Sequence, residues 1–230
     1  MSRLFVTGAG TGIGKTLVTC LLLRRLRAAG HWARALKPVI SGFDPADMAA
    51  SDSGLILSAM DEVADRESIG AISPWRFSAP ISPDMAAVRE GREIDVGELV
   101  AFCRYAAPAE TEGTLIVEGV GGAMAPLSDD ETVLDWMAGL AWPVLLVSGS
   151  YLGALSHALT AAESVRLRGL ELAGLVVSES EDSPVPLEEC AATLRRFLDP
   201  VPVIALPRLT NPSDDGSEAE DIIAALGMSA

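Results

Sequence analysis

Residues 4–16 read Leu-Phe-Val-Thr-Gly-Ala-Gly-Thr-Gly-Ile-Gly-Lys-Thr, a short apolar run followed by a glycine-rich turn. The sequence after this turn, up to residue 29, is rich in Leu, Val, Ala and Arg and predicts a helix. Glycines at positions 8, 10, 12 and 14 let the turn point its N–H groups inward, where they and the helix start can hold phosphate oxygens. Lys15 then reaches the β- and γ-phosphates, and the Thr16 hydroxyl can hold Mg²⁺. The stretch predicts a phosphate-binding loop (P-loop), one residue longer than the standard motif, and a bound nucleoside triphosphate.

The charged residues narrow the possible functions. The net charge of −15 argues against nucleic acid as a partner, because an acidic surface repels the phosphate backbone. Of the 17 basic residues, fifteen are Arg and only two are Lys, at positions 15 and 37. Arg and Lys differ in shape and hydration, and this chain uses Arg almost everywhere else. The rarity of lysine therefore favours Lys37 as a second cation that acts on the transferred phosphate.

The length and composition predict one domain spanning residues 1–230. The hydrophobic fraction of 49% is ample for a core, and no Pro/Gly/Ser-rich linker divides the chain. The most apolar stretch, residues 139–147, is too short to span a bilayer, and no signal peptide precedes the first strand, so we expect no membrane contact. The three cysteines are far apart and indicate reduced, mostly buried thiols in a cytoplasmic protein.

Predicted strands alternate with predicted helices along the chain. Beyond the first strand and helix, strands are expected at residues 32–36, 114–117, 143–148, 172–177 and 201–206. Helices are expected at residues 51–60, 94–107, 132–140, 152–168 and 187–198, with a last short helix after the acidic tail. Residues 72–83 are expected to be irregular and to be followed by a short helix that ends at residue 90. This order predicts an α/β fold with a mostly parallel sheet and helices on both faces. Ligands should gather where strands end, at residues 8–14, 37–41, 118–122 and 148–152.

Two carboxylates are candidate metal ligands. Glu118 directly follows the apolar residues 115–117, which is the layout of a Walker B acid pointing toward a P-loop metal. Asp52 precedes a helical stretch and is equally well explained as a helix-start residue. Ser41 is either a turn residue or a ligand. The two histidines, His31 and His157, have no metal-like spacing, and we assign them no catalytic role.

The positions of the two lysines argue against two classes of P-loop protein. Guanine-binding GTPases need an Asn-Lys-x-Asp segment, which lysines at 15 and 37 alone cannot form. Partitioning-type ATPases carry a second lysine in the loop, at the position that Gly10 occupies here.

A set of segments spread from about residue 4 to residue 207 resembles the dethiobiotin synthetase family, within the P-loop NTPase superfamily. The matching segments are the long P-loop (6–16), Lys-Pro-Val-Ile-Ser-Gly (37–42), Ser-Asp (51–52), Ser-Pro (82–83), Val-Glu-Gly-Val-Gly-Gly (117–122), Pro-Leu (126–127), and Leu-Gly before a helix (152–153).

The resemblance implies an ATP- and Mg²⁺-dependent ligase of biotin biosynthesis. Its substrates would be 7,8-diaminopelargonic acid and CO₂ or bicarbonate, and the chain would form a homodimer in which the segment after the Pro143 strand reaches toward the partner's substrate. The implied catalytic residues are Lys37, Lys15 and Thr11, and the implied metal ligands are Thr16, Asp52 and Glu118. The implied nucleotide-binding residues are Gly12, Ile13, Gly14, Lys15, Thr16, Leu17, Glu118, Gly121, Ser178 and Pro207, and the implied substrate-binding residues are Ser41, Lys37, Gly153 and Ser156.

The sequence departs from the family pattern at four positions. Gly12 replaces a Glu of some relatives, Asp84 replaces a His, and Ser156 and Ser178 replace Asn residues associated with the substrate carboxylate and with adenine. A relaxed choice of nucleoside triphosphate is therefore expected. Two alternatives stay open. The changes at Ser156 and Ser178 keep open a regulatory nucleotide-binding protein without catalysis. An amide-forming synthetase of the cobyrinate type shares the P-loop class, but it usually carries a glutaminase domain, for which this chain has neither the length nor a suitably placed cysteine. The retained lysines and carboxylates favour the ligase.

Overall fold

The computed structural model describes residues 2–107 and 113–228. Its main sheet has six strands in the order β2-β5-β1-β6-β7-β8, and every neighbouring pair is parallel. These strands are β1 (Ser2–Gly8), β2 (Ala33–Leu36), β5 (Thr114–Glu118), β6 (Val144–Ser148), β7 (Leu172–Ser178) and β8 (Val203–Leu206). All five residues of β5 and of β6 are buried, which requires cover on both faces of the sheet. The prediction of a mostly parallel α/β sheet is confirmed.

Helices connect the strands and surround the sheet. They are α1 (Lys15–Ala28), α2 (Asp52–Ala59), α3 (Arg66–Ile72), α4 (Pro83–Arg89), α5 (Val96–Tyr105), α6 (Val133–Leu140), α7 (Ala154–Leu167), α8 (Leu187–Leu198) and α9 (Glu220–Ala225). Short 3₁₀ turns lie at Met48–Ala50 and Ser217–Ala219. The longest of these helices have 14 residues, whereas crossing a bilayer takes about 20, so no helix in the described ranges could span a membrane.

A second, two-stranded parallel sheet was not expected from the sequence. It pairs β3 (Val39–Ser41) with β4 (Trp75–Phe77). The interpretation of residues 72–83 as irregular was therefore wrong for Trp75–Phe77. Three residues among several prolines are too few to show a strand period. This sheet holds the segment after Lys37 in an extended form.

Some predicted boundaries also shift in the structure. The helix expected from residue 152 begins at Ala154, because Gly153 adopts a left-handed conformation, with φ 97°, and caps it. Helix α3 was not predicted, although Asp65 and Ser68 form a capping box at its start. The last strand begins at Val203 rather than at residue 201.

Candidate active site

A cavity of about 360 Å³ lies at the carboxyl edge of the main sheet, between the P-loop and the segments that follow β2 and β5. Most of the residues implied by the resemblance line it. The lining consists of Thr11, Gly12, Ile13, Gly14, Lys15, Thr16, Leu17, Lys37, Ile40, Ser41, Asp52, Val120 and Gly121. Ile40 and Val120 were not predicted, since apolar residues beside a turn carry no chemical signal. Polar side chains from residues 11–52 thus surround one space, which Val120 and Gly121 help to close.

The P-loop backbone takes conformations that need glycine. Gly12 and Gly14 have φ values of 70° and 95°, in the left-handed region that residues with a Cβ avoid. A Cβ at Gly8 would lie 2.9 Å from the Cδ1 atom of Ile13 and 3.0 Å from the carbonyl oxygen of Gly10. Gly14 starts α1 without a side-chain cap, so the first N–H groups of the helix are available to an anion.

Lys15 is buried in this loop, with only 7% of its surface exposed. Its Nζ atom donates to the carbonyl oxygen of Gly10 at 2.9 Å. The pKa of Lys15 is lowered to about 8, mainly by burial and secondly by repulsion from Lys37, although attraction to Glu118 and Asp52 opposes the shift. The protonated amine is thus poorly compensated by the protein alone, which favours binding of an anion such as a phosphate.

Lys37 and Glu118 form a buried ion pair beside the P-loop. Leu36 and Val117 are partners in the β2–β5 register. The residues that follow them, Lys37 and Glu118, therefore lie side by side at the sheet edge. The Lys37 Nζ atom donates to Oε1 of Glu118 at 2.7 Å and to the carbonyl oxygen of Gly119 at 2.6 Å. The side chains are 2% and 0% exposed, respectively. The sequence predicted both residues at this edge but not their direct contact.

Thr16 and Glu118 are in contact at the position expected for a metal ion, and Asp52 lies near Lys37, the lysine that pairs with Glu118. The Thr16 hydroxyl donates to Oε1 of Glu118 at 2.8 Å, and Asp52 Oδ2 lies 3.6 Å from the Lys37 Nζ atom. The second carboxylate oxygen of Glu118, Oε2, is buried and has no hydrogen-bond partner among the described residues. A buried carboxylate oxygen needs a partner, and Mg²⁺ prefers a hydroxyl, carboxylates and phosphate oxygens as ligands. The residues present therefore fit Mg²⁺.

Ser178 and Pro207, two of the expected nucleotide-binding residues, lie at the ends of β7 and β8. Ser178, the last residue of β7, packs against the P-loop so closely that a Cβ at Gly14 would lie 2.7 Å from its hydroxyl oxygen. Pro207 directly follows β8 and is exposed. The cavity lining does not include either residue.

The expected substrate residues are divided between two places. Ser41 and Lys37 line the cavity, whereas Gly153 and Ser156 are exposed at the start of α7 and lie outside the lining. Next to them is a pair that the sequence analysis missed: the Tyr151 hydroxyl lies 2.8 Å from Nδ1 of His157. The signal was the position of Tyr151 in the strand end at residues 148–152.

Comparison with known proteins identifies the family. A family model described as an AAA domain matches residues 2–213. An ATP-dependent dethiobiotin synthetase BioD of Methylobacterium nodulans is 52% identical over 201 residues, covering 85% of this chain and 89% of that protein. The chain belongs to the dethiobiotin synthetase family. Family members of the same name from Acidiphilium cryptum (49% identical, 88% of this chain and 91% of that protein) and Caulobacter sp. strain K31 (43%, 100% and 98%) agree.

The fold of this dethiobiotin synthetase family member is shared with more distant proteins. The MinC:MinD cell division complex of Aquifex aeolicus matches with a TM-score of 0.56 at 12% identity, covering 97% of this chain and 88% of that one. A ParA family ATPase of Chlorobium tepidum matches with a TM-score of 0.51 at 15% identity, covering 99% and 93%. At these identities the likeness concerns the fold alone.

Proposed function

We propose that this protein is an ATP-dependent ligase of biotin biosynthesis that carboxylates 7,8-diaminopelargonic acid with CO₂ and closes the urea ring of dethiobiotin. The observation that carries the proposal is the pair of buried lysines, Lys15 and Lys37, on one cavity beside the carboxylate of Glu118. The names of the curated relatives, at 43–52% identity over most of the chain, support the same activity.

The proposed reaction needs positioned cations rather than a protein nucleophile. One substrate amine adds to the carbon of CO₂ and loses a proton, which gives a carbamate. A carbamate oxygen attacks the γ-phosphorus of ATP and expels ADP. The second amine then attacks the carbonyl carbon of this mixed anhydride; the C–O bond breaks, phosphate leaves with that oxygen, and a proton is released. Negative charge spreads over the phosphoryl oxygens in the middle step, so fixed cations lower its barrier.

The two lysines are suited to different parts of that step. Within residues 2–107 and 113–228, Lys15 donates only to the Gly10 carbonyl, an acceptor that a nucleotide phosphate can replace. Lys37 is held more firmly, between Glu118 and the carbonyl oxygen of Gly119, so its charge stays fixed next to the transferred group. Thr11 and Ser41 add hydroxyls to the lining, within the space open to the carbamate. Fixed charges in a water-poor site stabilise a transition state without reorganisation.

A magnesium ion belongs to this proposal. Thr16, Asp52 and Glu118 would hold it, and the orphaned Oε2 atom of Glu118 supports that assignment. When bound with nucleotide, the ion neutralises phosphate charge. The chain's own part is to orient Glu118, through the hydrogen bond from Thr16 and the ion pair with Lys37.

We also propose a homodimer in which the start of α7 contributes to the partner's substrate site. Gly153 and Ser156 are exposed there, and the neighbouring Leu152 is 87% exposed, which is unusual for a large apolar side chain. The hydroxyl of Ser156 would help to hold the substrate carboxylate. Light scattering should give twice the chain mass, and Leu152→Asp should shift it toward a monomer; a monomeric wild-type protein would contradict the dimer.

The experiment that tests the function uses isotopes. Purified protein is incubated with 7,8-diaminopelargonic acid, MgATP and bicarbonate labelled with ¹⁸O, with carbonic anhydrase omitted, and products are identified by mass spectrometry. We expect dethiobiotin and ADP in equal amounts, with one labelled oxygen in the released phosphate. Unlabelled phosphate without dethiobiotin would mean ATP hydrolysis by water and would refute the ligase.

Two variants test whether Lys37 supplies the cation that acts on the transferred phosphate. Lys37→Ala should abolish dethiobiotin formation. Arg34→Ala is the matched control, since Arg34 lies on β2, the strand that Lys37 directly follows, but forms a partly exposed ion pair with Glu62 at 3.3 Å. Equal losses in both variants would remove Lys37 from its assigned role.

A further inference from the structure

The small sheet of β3 and β4 forms one wall of the candidate active site. Ile40 and Ser41, both on β3, line the cavity of about 360 Å³, and β3 begins two residues after Lys37. β4 is the strand that pairs with β3, and each of the two strands has three residues. A two-stranded sheet is only marginally stable on its own, so this wall needs support from outside the sheet.

One edge of β4 is hydrogen-bonded to β3 and to the residues that follow β3. The carbonyl oxygen of Phe77 accepts from the Phe43 N–H at 2.9 Å. Successive residues of a strand direct their backbone N–H and C=O groups to opposite edges. The backbone groups of Arg76 and Ser78 therefore face the other edge of β4, where the described part of the chain places no further strand.

Two charged side chains make the hydrogen bonds of this outer edge. The Nη1 atom of Arg92 donates to the carbonyl oxygen of Arg76 at 2.7 Å. The Oε1 atom of Glu90 accepts from the Ser78 N–H at 2.7 Å and from the Ser78 hydroxyl at 2.9 Å. Glu90 and Arg92, together the edge clamp, thus take the place that the backbone of a third strand would occupy.

The edge clamp is itself held in position. Glu90 and Arg92 flank Gly91, whose φ of 64° lies in the left-handed region. The Arg92 N–H donates to the carbonyl oxygen of Ala87, in α4, at 2.9 Å. The Arg92 guanidinium lies 4.6 Å from the centroid of the Phe77 ring and 3.4 Å from the Glu90 carboxylate. Charge-assisted hydrogen bonds and a cation–π contact therefore fix the outer edge of β4.

We propose that Glu90 and Arg92 are positioning residues that keep Ser41 in place for the amine substrate. The described lining of the cavity includes neither residue, so they act through β4 and β3 rather than by contact with the substrate. When the outer edge of β4 loses its partners, β4 and the β3 backbone bonded to it move more freely. A displaced Ser41 then contributes less to substrate binding, because binding and catalysis depend on groups held in the right geometry.

The nucleotide site should not depend on the edge clamp. The P-loop follows β1 of the main sheet, and Lys37 is held by Glu118 and by the carbonyl oxygen of Gly119, at the end of β5. Loss of the edge clamp should therefore affect the amine substrate and not the nucleotide. The inference rests on the proposed function for the identity of that substrate, and it adds two residues to which the proposed function gives no role.

The first test separates substrate binding from nucleotide binding. Arg92→Ala should raise the KM for 7,8-diaminopelargonic acid about fivefold, the effect of about one hydrogen bond, with kcat within about twofold of the wild type. The dissociation constant of MgADP, from titration calorimetry, and the melting temperature should stay unchanged. Arg92→Lys should restore most of the wild-type KM, because an ammonium can still donate to the carbonyl oxygen of Arg76. Glu90→Ala should raise the KM as Arg92→Ala does.

The second test needs no substrate. In hydrogen exchange of the ligand-free protein, amides of residues 39–43 should exchange faster in Arg92→Ala than in the wild type, and amides of residues 8–16 should not. Arg89→Ala and Glu93→Gln are matched controls, since both residues are exposed and neither bonds to β4 in the described ranges. Both controls should behave as the wild type in every measurement.

The two tests together can refute the proposal. Wild-type exchange at residues 39–43 in Arg92→Ala would overturn it, as would a KM within about twofold of the wild type. An equal loss of MgADP affinity, a lower melting temperature or a matching effect of Arg89→Ala would also overturn it, because each would indicate a general effect on the fold. A wild-type protein that forms no dethiobiotin would refute the proposed function instead, and the exchange comparison would still decide whether the edge clamp restrains β3.

Discussion

Replacing Lys37 by Met should destabilise the protein strongly, even without any ligand. The substitution keeps the length of the side chain but leaves the Glu118 carboxylate, which is 0% exposed, without its cation at 2.7 Å. The more exposed Asp52, 3.6 Å away, loses the same partner. Breaking a buried ion pair by removing one member costs about 3–5 kcal/mol. In a chain of 230 residues, that corresponds to a fall in melting temperature of roughly 10 °C.

Thermal unfolding followed by circular dichroism, in buffer with EDTA, measures this effect. Glu118→Gln added to Lys37→Met removes the stranded charge and should restore most of the lost stability. Lys15→Met is the contrasting control: Lys15 is also buried, but its only hydrogen-bond partner among the described residues is the Gly10 carbonyl, and burial already lowers its pKa to about 8. Its removal should leave the melting temperature unchanged or raise it. A Lys37→Met protein that melts within about 2 °C of the wild type would refute the argument.

Three further predictions concern other parts of the chain. Gly54→Ala should lower the free energy of unfolding by about 2 kcal/mol, because its Cβ would lie 2.2 Å from the Met48 carbonyl oxygen. Gly70→Ala, in helix α3 with nothing within 4 Å of its Cβ, should instead raise that free energy by about 0.5–1 kcal/mol, both measured by urea denaturation. Burial opposes ionisation of Asp135, but hydrogen bonds from Arg168 and Thr132 outweigh it and lower its pKa to about 2. This carboxylate therefore stabilises the fold above about pH 4, and the advantage of wild type over Asp135→Asn, about 1 kcal/mol at pH 7, should vanish in melts as pH falls from 4 to 2. If the enzyme is the proposed ligase, ATP, CTP and GTP should be turned over at equal rates in steady-state assays, and strict use of ATP would contradict the relaxed specificity inferred from Ser178.

Much of the site could be predicted because its residues sit at strand ends. The P-loop residues, Lys37 and Glu118 were all expected at one edge of a parallel sheet; residues 11–17 and Lys37 line one cavity there, and Glu118 contacts Lys37 beside it. The ion pair between Lys37 and Glu118 could not be predicted, since it depends on β2 and β5 being neighbours although 77 residues separate Leu36, where β2 ends, from Thr114, where β5 begins. Strand order is a property of the whole chain and leaves no local pattern.

The parts of the fold that were missed are short. Strand β4 has three residues, which cannot display a period, and its partner β3 is equally brief. The pair of Tyr151 and His157 was overlooked for a different reason, since a tyrosine before a helix is usually a packing residue and the sequence does not show its hydrogen bond to His157.

The burial of both lysines has a practical consequence for chemical labelling. The chain has lysine only at positions 15 and 37, and both are less than a tenth exposed. An amine-directed acylating reagent therefore finds no lysine on the folded surface, and each acylated lysine marks a molecule that opened its P-loop or its sheet edge. The rate at which Lys15 and Lys37 are acylated, followed by mass spectrometry, therefore measures how often the site opens. The decrease of this rate on ligand binding measures how strongly the ligand keeps the site closed.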